Sequence, residues 1–174
     1  MFTDESIWIR ENLAALDLDG AAVLNIGSSD DTFLTTQPHI NDNLLAPLRA
    51  RGCKISNMDI KEAPGVDIAA DITDPLLERK VPQRFRLVIC TSLLEHVRDR
   101  AAAIRGIYGL AENGGYVLVT VPQNYPRHDD PIDTLYRPSA EELAGDFMDL
   151  TDAALVRAGT VDIKDSRYYY YRSR

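Results

Sequence analysis

The chain has 174 residues, 45% hydrophobic and 26% charged, the composition of an ordinary globular protein of one domain. Its 27 acidic residues outweigh 19 basic ones, a formal charge of -8, which argues against a nucleic-acid partner held by phosphate neutralisation. Cys53 and Cys90 lack the spacing of a zinc or disulfide framework, no apolar run approaches the ~20 residues of a membrane span, and Asp4 and Glu5 stand where a signal peptide would be basic and then apolar. A soluble, cytoplasmic protein with reduced thiols and no membrane contact is expected.

In chain order, apolar positions at Ile7, Ile9, Leu13, Leu16 and Leu18 predict a helix over Ser6 to Leu18. Ala22 to Gly27 predicts a strand. An irregular stretch containing Pro38 precedes a helix over Asn43 to Arg51, closed by Gly52 as its C-cap. Cys53 to Asp59 and Val66 to Ala70 predict two more strands, and helical turns around Pro75 to Arg79 lead into Arg86-Leu-Val-Ile-Cys-Thr91, the strongest strand signal in the chain. A helix over Arg98 to Ala111 stops at Asn113-Gly114-Gly115, and Tyr116 to Val121 forms a strand ended by Pro122. A polar loop runs to Arg137, and a helix opens at Pro138-Ser139 with Glu141 and Glu142 in its first turn. Two closing strands are expected near Leu155 to Ile163 and Tyr168 to Tyr171. The alternation of strands and helices implies an α/β, doubly wound, mainly parallel sheet in a single domain over residues 1 to 174.

In such sheets ligands bind at the carboxyl ends of the strands, so the residues that end each strand carry the functional question. The first strand ends in Asn25-Ile-Gly-Ser-Ser-Asp-Asp31. Gly27 lets a ligand approach the backbone. The dinucleotide fingerprint is absent, because Ser29 and Thr32 fill its later glycine positions, and Asp30 and Asp31 would repel a pyrophosphate.

The order of the strand ends resembles the class I S-adenosylmethionine-dependent methyltransferases, specifically the small bacterial type whose central motif reads L-E-H-V. Val23-Leu-Asn-Ile-Gly27, Met58-Asp-Ile60, Ala70-Asp-Ile72, and Leu87-Val-Ile-Cys-Thr-Ser-Leu-Leu-Glu-His-Val97 followed by Gly114-Gly-Tyr-Val-Leu-Val-Thr-Val-Pro122 carry the resemblance, over roughly residues 20 to 145. The resemblance implies S-adenosylmethionine as cofactor. It would be bound by Asn25, Gly27 and Ser28 at the first turn, Asp59 and Ile60 at the ribose, Asp71 and Ile72 at the adenine, and Thr91 and Ser92 beneath the amino-acid tail. Asp59 has a solvated strand-end carboxylate as its plain alternative, and Asp71 an Asx-turn before Thr73. The family usually carries an acid where Asn25 stands and a second glycine where Ser29 stands. The stretch between Gly27 and Asp59 is also longer than the ~20 residues of a compact unit.

The Asn/Asp-Pro-Pro-Tyr/Phe signature of amino-group methylases is missing after the fourth strand, which leaves a small-molecule acceptor, methylated at oxygen, by elimination. A hydroxyl acceptor needs a base near neutral pH, for which histidine is suited. His128, in the polar loop beside Asp129, Asp130 and Asp133, and His96, after the fourth strand, are the catalytic candidates. His96 has a structural role bonding backbone as its alternative. Tyr125, Asp133 and Arg137 of the same loop are candidate acceptor contacts. No metal is expected, since His128 and its aspartates have flexible spacing and no second histidine. The tyrosine run Tyr168 to Tyr171 reads as a strand or as an aromatic interface that a homodimer would use. The competing function is a degenerate, non-catalytic methyltransferase fold serving as a partner-binding subunit, favoured by Asn25 and Ser29.

Overall fold

The computed structural model describes residues 1–128 and 132–164. Helix α1 (Thr3–Leu13) leads into β1 (Ala22–Ile26), followed by α2 (Asp31–Thr36), α3 (Pro38–Ile40), a π-helical turn over Asn41–Leu45, and α4 (Ala46–Ala50). Then come β2 (Lys54–Asp59), β3 (Ile68–Ala69), α5 (Leu77–Lys80), β4 (Phe85–Thr91), a 3₁₀ turn over Leu94–His96, α6 (Arg100–Leu110), β5 (Ala111–Thr120) and α7 (Ala140–Leu150).

The strands form one sheet in the order β3-β2-β1-β4-β5, with every neighbouring pair parallel. This is the α/β, Rossmann-like arrangement expected from the sequence. The chain steps outward from β1 to β2 and β3, then returns to place β4 against the other side of β1. The switch point therefore lies between the carboxyl ends of β1 and β4.

Alternation within the buried strands sends successive side chains to opposite faces. Leu24, Ile26, Val88 and Cys90 join Ile104, Ile107 and Leu110 of α6 in one core layer. Val23, Leu87 and Ile89 join Ile9 and Leu13 of α1 and Leu48 of α4 in the other. Cys53 and Cys90 are both buried and unpaired. Among the described residues, no helix is long and apolar enough to cross a membrane.

The structure corrects the sequence reading in four places, one of them at Asn113-Gly114-Gly115, which lie inside β5 and not between α6 and the strand. The stretch around Pro38 is helical rather than irregular, because Pro38 occupies the first turn of α3 after the non-helical Gln37, where a missing N–H costs nothing. α1 starts earlier and ends sooner than Ser6 to Leu18. Residues 155–163 form no strand. That segment is held on the outside of α1 instead: Arg157 donates to Asn12 Oδ1 (2.5 Å), the Lys164 N–H donates to Asp4 (2.9 Å), and Gly159 lies beside Trp8. There it has no strand to pair with, and Leu155 and Val156 are exposed. The tyrosine run lies outside the described residues.

Helix α6 crosses the Ile72 turn at Gly106, where an added Cβ would sit 2.4 Å from the Ile72 carbonyl oxygen and 3.2 Å from Leu77 Cδ2. A backbone oxygen cannot swing aside, so Gly106→Ala is expected to destabilise the protein by roughly 1–3 kcal/mol. Gly145 in α7 has nothing within 4 Å of the same position. Gly145→Ala should instead stabilise, by about 0.5–1 kcal/mol of helix propensity. Urea midpoints with unchanged m-values would check both signs.

Candidate functional site

The carboxyl end of β1 turns sharply at Gly27, whose φ of 72° is left-handed, and its N–H donates to the Met58 carbonyl (2.8 Å). Ser29 also adopts a left-handed φ of 57°. This is the position where the related pattern carries glycine, and a Cβ there costs about 1–2 kcal/mol. Asp59 at the end of β2 holds the turn: the Ser29 N–H donates to Asp59 Oδ2 (2.8 Å) and the Lys61 N–H to Oδ1 (3.2 Å). Each carboxylate oxygen keeps a further lone pair.

Lys61 was not singled out from the sequence. Its Nζ donates to Asp30 Oδ2 (2.9 Å) and to Ser29 Oγ (3.1 Å), strapping the β1 and β2 loops together. Lys61 holds the Asp30 carboxyl below its ordinary range, and Asp30 in turn caps α2 through the Phe33 N–H (2.9 Å). Asn25 is buried, its Nδ2 donating to Asn57 Oδ1 (3.1 Å).

Asn25, Gly27, Ser28, Thr91 and Ser92 line one cavity of about 110 Å³, with Phe33, Leu34 and Ile40 among its apolar walls. Ser92 turns the chain away from β4 with a φ of 49° while its N–H donates to the Thr120 carbonyl (2.9 Å). Ile60 lies outside this cavity and is 72% exposed. Asp71 is exposed and forms an Asx-turn, its Oδ1 accepting from the Thr73 N–H and hydroxyl (2.8 Å each). The Ile72 side chain packs into the core layer under α6, and its carbonyl lies against Gly106 of that helix.

A second cluster gathers where the loop after β5 returns to the turn after β4. Thr134 donates twice to the Glu95 carbonyl, through its N–H and its hydroxyl (2.9 Å each). His96 Nδ1–H donates to the Ile132 carbonyl, and its ring meets that of His128 edge-on at 5.0 Å. The second histidine that the His128 segment lacks is thus supplied by His96 across the fold. The backbone N–H and Nδ1–H of His128 both donate to Asp133 Oδ2 (3.0 and 3.1 Å).

Arg137 donates to both oxygens of Asp133 (2.7 and 3.1 Å) and, through Nε, to the Tyr125 carbonyl (3.2 Å). The Asp133 side chain is fully covered, and the Arg137 hydrogen bonds hold its carboxyl well below the usual range. Tyr125 packs edge-on against His128, and Phe2 against Tyr125. Asp129 and Asp130 lie outside the described residues.

Glu95 is the residue the sequence reading missed in this cluster. It is 2% exposed, its Oε1 lies 3.9 Å from His96 Nε2, and its Oε2 has no hydrogen-bond partner among the described residues. Burial pushes its carboxyl above the ordinary range, against the opposing pull of His96 and Arg137. The only sequence signal was an acid set directly after two leucines.

A methyltransferase domain family matches residues 7–154, most of the chain. The chain belongs to that family. The fold and the order of its strand ends agree with the class I type. Among its relatives is a ubiquinone biosynthesis O-methyltransferase of Pseudomonas entomophila, 28% identical over 132 residues that cover 69% of this chain and 51% of the relative. The enzyme of that name in Stutzerimonas stutzeri is 27% identical over the same span and coverage. The chain spans about half the length of the curated relatives it matches. A solved O-methyltransferase family protein from Burkholderia thailandensis superposes with a TM-score of 0.39 and 13% identity, covering 86% of this chain and 46% of its own.

Proposed function

We propose that this chain binds S-adenosylmethionine at the β1–β4 switch point and transfers its methyl group to an oxygen of a small-molecule acceptor held by the His96–His128 cluster. The observation that carries this reading is the convergence of Asn25, Gly27, Ser28, Thr91 and Ser92 on one cavity, with Asp59 on the adjoining strand end. The residues fit the group. The cavity suits an amino-acid tail, the backbone at Gly27 admits close approach, and Asp59 keeps acceptor capacity for a ribose diol. Ile60 offers an exposed apolar face beside Asp59, and on the adenine side Asp71 keeps one carboxylate oxygen outside its Asx-turn.

When bound, S-adenosylmethionine supplies an electrophilic methyl group on a sulfonium sulfur. Displacement there depends mostly on alignment, which Thr91 and Ser92 below and the Tyr125–Arg137 loop above would impose. With Nδ1–H pinned on Asp133, His128 presents Nε2 as the base for an acceptor hydroxyl, and His96 presents the same atom beside it. Oxygen as acceptor is further supported by the relatives named O-methyltransferases.

A thermal shift with S-adenosylhomocysteine tests the reading. Ligand at 100 times its Kd should stabilise the fold by about 2.7 kcal/mol. Asp59→Ala should weaken that ligand by ~1.5–3 kcal/mol in a folded protein, the worth of a charged hydrogen-bond acceptor. No shift at millimolar ligand would favour the non-catalytic, partner-binding alternative, and an unchanged affinity in Asp59→Ala would remove Asp59 from the site.

A further inference from the structure

We propose that Glu95, His96 and His128 form a binding site for one divalent transition-metal ion of the zinc or cobalt kind. One carboxylate oxygen of Glu95 and one ring nitrogen from each histidine lie within 4.8 Å of one another. Ligand atoms in a tetrahedral shell with bonds of about 2.05 Å stand roughly 3.3 Å apart, so small side-chain adjustments would close the set around an ion.

The protonation pattern points the same way. A backbone carbonyl can only accept, so His96 carries its proton on Nδ1 toward Ile132. The Asp133 carboxylate, which also accepts from Arg137, likewise takes the His128 proton on Nδ1. Both rings are left with a lone pair on Nε2. A carbonyl or carboxylate behind the outer nitrogen is the support that metal-bound histidines ordinarily have.

Glu95 is the independent observation. Its side chain is 2% exposed, its Oε1 lies 3.9 Å from His96 Nε2, and its Oε2 has no hydrogen-bond partner among the described residues. Among the described residues the cluster therefore offers three lone-pair acceptors, and a buried carboxylate oxygen left bare is costly. A cation answers all three. Two imidazoles with one carboxylate favour zinc, cobalt or nickel over magnesium and calcium, which prefer all-oxygen shells. Three protein ligands leave a position open. If the methyl-transfer reading holds, on which this last step rests, that position would take the acceptor oxygen and lower its pKa so that its proton passes to solvent water, with the histidines acting as ligands in place of a free base.

The test is a titration of the chelator-stripped chain with Co²⁺ alone, without cofactor or acceptor, followed by visible absorption and calorimetry. One equivalent should bind with d–d bands of a low-coordinate site. Glu95→Gln, His96→Ala and His128→Ala should each weaken binding roughly 100-fold or more, and Asp133→Asn, behind His128, about 10–100-fold. His39→Ala, a histidine bonded to the Met1 carbonyl, should bind as the parent does. Circular dichroism on every variant checks that it is folded. Absence of the absorption bands, or equal Co²⁺ affinity in folded His128→Ala and Glu95→Gln, would overturn the site. Because no cofactor is present, either result stands apart from the S-adenosylhomocysteine shift.

Discussion

Replacing His128 by alanine is expected to lower methyl-transfer turnover by ~10²–10⁴-fold while leaving S-adenosylhomocysteine affinity nearly intact. The separation follows from the geometry. His128 stands on the loop after β5, held by Asp133 and packed on Tyr125, whereas the cavity residues stand on the ends of β1 and β4. Loss of the imidazole removes the Nε2 lone pair without touching the Gly27 turn, whether that lone pair takes a proton directly or holds a cation that does the same work. Steady-state kinetics with any accepted hydroxyl compound, paired with calorimetry on the product, separates the outcomes. A KM that rises while kcat survives would make His128 a positioning group only. Full activity at every acceptor concentration would leave it an ordinary surface histidine and shift the role to His96.

Much of the frame was legible in the sequence because buried parallel strands read as continuous apolar runs, and Arg86 to Thr91 is such a run. Their polar ends supplied the candidate ligand contacts, and Asn25, Gly27, Ser28, Thr91 and Ser92 line one cavity. The rest depended on contacts distant in the chain. Nothing near Ser29 announces a left-handed backbone, because the compensating acceptor, Asp59, arrives from the neighbouring strand. The pairing of His96 with His128 exists only because Thr134 and Ile132 dock on the Glu95 turn. Glu95 itself hid inside a recognisable motif, since burial of a carboxylate is a property of the fold and not of local pattern. The strand expected at residues 155–163 is missing for a similar reason: a strand needs a partner edge, and Arg157 and Lys164 tie that segment to α1.

The same dependence on distant contacts makes Asp133 the most consequential single charge in the loop. Its carboxylate, with no exposed surface, accepts from the His128 N–H and ring, from the Leu135 N–H (2.8 Å), and from both terminal nitrogens of Arg137. Asp133→Ala removes all of these at once and leaves the Arg137 guanidinium, 13% exposed, without its hydrogen-bonded carboxylate. Removing one partner of a covered pair costs about 3–5 kcal/mol. The low end applies here, because Arg137 keeps its bonds to the Tyr125 and Tyr136 carbonyls. At about 3 kcal/mol, the Tm of a chain this size should fall by roughly 6–12 °C. Turnover should fall with it, since His128 loses the acceptor that fixes its tautomer. Asp19→Ala supplies the contrast: Asp19 pairs with Arg51 but is 76% exposed, and exposed pairs contribute within about 1 kcal/mol. Equal melting shifts in the two variants would show that Asp133 is a surface charge like any other, and would remove the reason for its hold on His128.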